Sequence, residues 1–144
     1  MNNPTHFSRL IGKWTTSGSL LNGDEVLTIS GTDRYEWILG AHYLLHTANV
    51  LLGNQHSETM EVIKPGTSAE HAVLYFFNAN GADGMMNGTI QNDTFKIKGS
   101  DLRFEGTFSQ QDTILQGEWY RKNEADEWTA FIQLQLLKQS DPEV

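Results

Sequence analysis

The sequence predicts an all-β protein, an antiparallel meander closed into a barrel of about ten strands. Three observations predict it. Apolar and polar residues alternate with a period of two along most of the chain. Turn signals recur at short intervals, at Asn22-Gly23, Gly40, Gly53-Asn54, Pro65-Gly66, Asn80-Gly81, Asn92-Asp93, Gln111-Asp112 and Asn123 to Asp126. An even number of strands in a meander also returns the last strand antiparallel to the first, as closure requires. The competing architecture is a flattened sandwich, in which the first and last strands exchange no backbone hydrogen bonds.

The chain reads as one domain, residues 1–144, with no repeat, linker or low-complexity tract. Residues 4–10 predict a short helix with Pro4 at its first position and Asn3 as its cap. Phe7, Leu10 and Ile11 share a face of it, so it is expected to cover one mouth of the barrel. Strands are expected over 12–21, 24–35, 42–52, 56–64, 71–79, 84–91, 94–99, 102–109, 114–121 and 128–138. The tail 140–144 is expected to fray.

Hairpin turns fix register, and register fixes which side chains face inward. An Asn22-Gly23 turn pairs Leu20 with Glu25 and Trp14 with Gly31, leaving Leu27 and Ile29 on the side of Trp14. An Asn92-Asp93 turn pairs Ile90 with Phe95 and Gly88 with Ile97. A loop over 110–113 pairs Phe108 with Leu115, Gly106 with Gly117 and Phe104 with Trp119. An Asn80-Gly81 turn sets Val73, Tyr75 and Phe77 beside Met86, Gly88 and Ile90. In the last strand Trp128, Ala130, Ile132, Leu134 and Leu136 share the inner face, and Lys138 comes to lie across Trp14.

Composition excludes several functions. Eighteen acidic residues against ten basic give a formal net charge of −8, the wrong sign for binding a phosphate backbone. The chain has no Cys, hence no disulfide, thiol nucleophile or thiolate metal site. No apolar run is long enough for a membrane-spanning helix. The opening Met1-Asn2-Asn3-Pro4-Thr5-His6 lacks the layout of a secretory signal, so a soluble, cytoplasmic protein is expected.

Gly12-Lys13-Trp14 opening the first strand, with the basic Lys138 ending the last, resembles the lipocalin and fatty-acid-binding-protein group, the calycins. Leu10-Ile11-Gly12-Lys13-Trp14 and Leu39-Gly40-Ala41-His42-Tyr43-Leu44 are similar to the layout of lipocalin-like bacterial proteins of unknown function. The resemblance implies a barrel closed by Gly12, Trp14 and Lys138 and a small apolar or amphipathic molecule held inside. The haem-binding nitrobindins are more distant. Their Gly-x-Trp-x-Gly-x-Gly opening keeps Gly12, Trp14 and Gly18 here but meets Thr16 at the middle glycine, and no His follows His71. No haem or other cofactor is therefore expected.

The expected ligand-binding residues are Thr16, Leu27, Ile29, Tyr75, Phe77, Met86, Phe95, Phe104, Trp119, Arg121 and Ile132. Thr16, Tyr75 and Arg121 are the polar groups among them, and a few such groups suffice to orient a ligand in an apolar cavity. No metal site is expected, because His42 and His46 lie about 13 Å apart along one strand and His56 falls on the other face. A Gly53-Asn54 turn sets His46 opposite Glu61, a pair that would serve a small barrel enzyme as acid and base. Non-catalytic binding is the favoured reading, since no nucleophile motif such as Gly-x-Ser-x-Gly is present. Leu74, Phe76 and Met85 on one outer surface, and Tyr120 and Phe131 on another, lead to the expectation of a homodimer.

Overall fold

The computed structural model describes residues 5–140. Asn3, Pro4 and the tail beyond Ser140 lie outside the described residues. Ten strands follow one another: β1 (Gly12–Asn22), β2 (Glu25–Ile38), β3 (Tyr43–Leu52), β4 (Gln55–Pro65), β5 (His71–Asn78), β6 (Asp83–Gln91), β7 (Thr94–Lys98), β8 (Leu102–Ser109), β9 (Ile114–Lys122) and β10 (Trp128–Lys138). Each pairs antiparallel with its neighbour, and β1 pairs with β10 from Trp14–Lys138 through Leu20–Ile132. That last ladder makes the sheet a closed barrel and rules out the sandwich.

One end is sealed. The leader forms a 3₁₀ helix over His6–Leu10, capped by the Thr5 hydroxyl, which accepts from the Phe7 amide. Phe7 and Leu10 are fully buried beneath the barrel, with the Phe7 ring edge-on to Phe95 at 5.8 Å. A 3₁₀ turn of five residues is too short to persist alone, so its tertiary contacts hold it. The Trp14 indole N–H donates to the Leu10 carbonyl at 2.8 Å. Lys138 Nζ donates to the Arg9 carbonyl at 3.1 Å and sits 4.8 Å from the centre of the Trp14 ring. Arg9 donates to Asp112 and Asp93 and stacks 4.4 Å above Phe108. Gly12 runs at φ +137°, where a side chain is strained, and the Lys138 stem lies against it.

Among the hairpins, β6–β7 and β8–β9 take the registers expected from sequence. In β1–β2 the turn is Gly23-Asp24 in place of Asn22-Gly23, which moves the pairing by two residues and sets Trp14 beside Asp33. Gly23 alone of the pair has positive φ, matching a turn that wants glycine at its first central position. A two-residue shift leaves every side chain on its expected face.

The β5–β6 hairpin is a correction. Asn78 Oδ1 accepts from the amides of Asn80 and Ala82, and Asn78 pairs with Ala82 around a three-residue loop, 79–81, which moves the register by one. A one-residue slip exchanges faces. Leu74 is therefore fully buried and Phe76 turns inward, while Tyr75 and Phe77 are 37% and 40% exposed on the outside. β10 holds the second correction. A bulge between Ala130 and Ile132 turns Phe131 inward and leaves Trp128 outside, 4.1 Å from the Arg103 guanidinium. The two outer apolar surfaces expected from sequence are accordingly not formed. In their place Met60, Tyr75, Phe77 and Met85 lie side by side across β4, β5 and β6.

No helix among the described residues is long and apolar enough to cross a membrane.

Candidate binding cavity

Above the sealed floor the barrel encloses a cavity of about 360 Å³ that opens towards the opposite end. Its wall is largely apolar, with Ile29, Val50, Met86, Phe104, Trp119 and Ile132 among the lining. Ser57, Thr59 and Asn78 add polar groups towards the open end, and alternation along β1–β4 gathers the charged ones at one place. Thr16 on β1, Asp33 and Tyr35 on β2, His46 on β3 and Glu61 on β4 all point inward and meet.

The imidazole of His46 is the centre of this cluster. Nε2 lies 2.6 Å from Asp33 Oδ2 and Nδ1 lies 2.7 Å from Glu61 Oε1. The Thr16 hydroxyl donates to Asp33 Oδ1, and the Tyr35 ring stacks on the imidazole at 4.0 Å between centres, with 7° between planes. Burial disfavours the charged ring, but the two carboxylate hydrogen bonds and their charge outweigh it and raise the His46 pKa to about 10. At neutral pH His46 is therefore an imidazolium that donates from both nitrogens. Burial, followed by the charges of Asp33 and Glu61, holds the Tyr35 phenol well above its usual pKa, so it stays neutral.

This arrangement limits the chemistry. Neither nitrogen of His46 has a free lone pair for a metal or haem iron, and it is the one histidine in the cavity wall. An imidazole protonated up to about pH 10 is also a poor general base at neutral pH.

The residues expected from sequence divide as follows. Thr16, Ile29, Met86, Phe104, Trp119 and Ile132 line the cavity. Phe95 is buried in the packed floor, against Phe7, Phe104 and Phe108. Leu27 is half-buried on β2 outside the cavity wall. Tyr75 and Phe77 face outward, for the reason given above. Arg121 is exposed, its guanidinium 4.6 Å from the Phe131 ring. His46 and Glu61 meet as expected, on the inner face. Asp33 and Tyr35 were missed, although both share the parity of Ile29 along β2.

A larger, open hollow of about 850 Å³ lies on the outer surface, lined by polar residues of β1 and β7–β10 such as Ser17, Thr107 and Gln116. It is a solvated bend of the sheet at Gly18 and Gly117 and encloses nothing.

A closed ten-stranded antiparallel barrel with an internal cavity is a calycin-like architecture. Two solved structures share it over most of their length. Rv2717c from M. tuberculosis superposes with a TM-score of 0.70 at 10% identity, covering 93% of this chain and 95% of that one. The S-type phycobiliprotein lyase CPES from Guillardia theta superposes with a TM-score of 0.65 at 10% identity, covering 94% and 91%. At that identity the likeness is one of fold. No family model and no curated protein sequence matches the chain.

Proposed function

We propose that this protein binds a small, mainly apolar molecule inside its barrel and does not transform it. The observation that carries the reading is the cavity itself: largely apolar walls, one cluster of charged groups at a fixed place, and an open end. A ten-stranded barrel has room for such a ligand. The lyase neighbour is an enzyme by name, so fold alone does not separate binding from catalysis.

The alternative is a barrel enzyme using His46 and Glu61 as acid and base, and their 2.7 Å contact is what favours it. Against it stands the double engagement of His46, which leaves it no site from which to accept a substrate proton. Titration with an environment-sensitive apolar fluorophore tests the binding reading. Saturable emission, lost when Ala48→Trp fills the cavity, is the expected result. An absence of saturation in the folded wild-type protein overturns it.

A further inference from the structure

The polar cluster is not neutral. Asp33, Glu61 and the protonated His46 are the charged side chains in the cavity wall, which holds no Lys or Arg. Two negative charges and one positive leave the cavity with one negative charge in excess.

The excess sits at an identifiable atom. Both Asp33 oxygens are engaged, one by the Thr16 hydroxyl and one by His46. Glu61 uses Oε1 for His46, whereas its Oε2 has no hydrogen-bond partner among the described residues. The Tyr35 hydroxyl likewise has none. Glu61 and Tyr35 are 7% and 6% exposed, both line the cavity, and these two oxygens face its accessible space. Two accessible polar atoms on the wall of a largely apolar cavity offer a ligand's polar end its partners.

We infer that the molecule held here carries a protonated amine or a comparable N–H donor on an apolar body, seated against Glu61 Oε2 and the Tyr35 hydroxyl, and is not a carboxylate-headed fatty acid. This deepens the binding reading above and rests on it. An ammonium offsets the excess charge, and its N–H groups meet the free carboxylate oxygen and the phenol. A carboxylate would bring a second unpaired negative charge into a poorly solvated site. The surroundings agree in sign. The formal net charge is −8, and the turns and strand ends around the open end carry Asp24, Asp83, Asp101, Glu124, Asp126 and Glu127. Of the basic residues beside them, Arg121 and Arg103 stack on Phe131 and Trp128 and Lys122 pairs with Asp126, while Lys98 is exposed, so the acidic groups outnumber the basic ones. Such a field concentrates cations and repels anions. The volume of about 360 Å³ suits a ligand of about a dozen heavy atoms, at about 30 Å³ for each water-sized unit.

Three probes of matched length test this by calorimetry at physiological salt: nonylamine, nonanol and nonanoate. The amine is expected to bind about tenfold or more tighter than the alcohol, with nonanoate weakest. Glu61→Gln should abolish the preference of amine over alcohol while alcohol binding persists, which also reports that the variant is folded and excludes general attraction to an acidic surface. Should that variant fail to fold, Tyr35→Phe removes one hydroxyl only and must narrow the same gap. Nonanoate binding as tightly as the amine, or a gap unchanged in the folded variants, overturns the inference alone. No binding of any probe to the wild-type protein ends both it and the binding reading.

Discussion

Replacing His46 with Gln would remove the positive charge that Asp33 and Glu61 share, while keeping some hydrogen-bonding capacity at the site. The folded pKa of about 10 lies above the ordinary 6.5, so His46 contributes stability that is fully present below about pH 6.5. That contribution drains away as pH rises through 10. At 1.36 kcal/mol for each unit, the ceiling is roughly 5 kcal/mol. Removing one partner of a buried ion pair costs about 3–5 kcal/mol, an independent figure of the same size. Urea unfolding of both proteins at intervals from pH 5 to pH 10 measures the difference. The wild type should exceed His46→Gln by several kcal/mol near pH 6, and the gap should close progressively above pH 7. Ring ¹⁵N shifts should show both His46 nitrogens protonated at pH 8. A gap that stays flat between pH 6.5 and pH 10, or a ring carrying one proton at pH 8, would refute the reasoning.

Two further outcomes follow from the faces of the barrel. Leu74→Ala should cost about 2–5 kcal/mol and Tyr75→Ser much less, because the first empties a fully buried site and the second alters a partly exposed one; equal costs in thermal unfolding would contradict the β5 register. The expected homodimer now has to be sought on the Met60, Tyr75, Phe77 and Met85 surface, where Phe77→Glu should turn a dimer into a monomer in sedimentation at micromolar concentration. A wild-type monomer there, unaltered by the substitution, removes the idea.

The strands and the closure were legible because they rest on alternation and on turns whose chemistry is local. Asn92-Asp93 and the loop over 110–113 each fixed a register from residues within the turn. Asn78 shows where that logic stops. Its side chain caps the loop, and nothing in Asn80-Gly81 alone reveals that the turn is longer by one residue. The Phe131 bulge was hidden for another reason, since both Phe131 and Ile132 are apolar and either parity reads as a plausible inner face.

At the cavity, His46 and Glu61 emerged from one hairpin, but β3 is apolar on both sides, so its inner face was not decided by sequence. Asp33 was passed over because charged residues are seldom buried without a partner. Its partners come from the flanking strands β1 and β3, and they meet it only in the shifted β1–β2 register and on the inner face of β3 that the sequence left undecided. Gly31 assists by letting β2 run close to the Asn49 carbonyl, where a Cβ would collide.

The ladder between β1 and β10 also governs when this molecule can exist. Thr15 and Gln139 are hydrogen-bonded across it although 124 positions separate them in the chain. On the ribosome, β1 must remain with one edge bare until β10 has emerged, and a bare edge is a template for pairing with other chains. The N-terminal plug waits as well, since Arg9 finds its partners Asp93 and Asp112 only after most of the chain has been made. Folding of this barrel is therefore a late event in its biosynthesis, slow by topology, with the nascent chain exposed to misassembly until its final strand arrives.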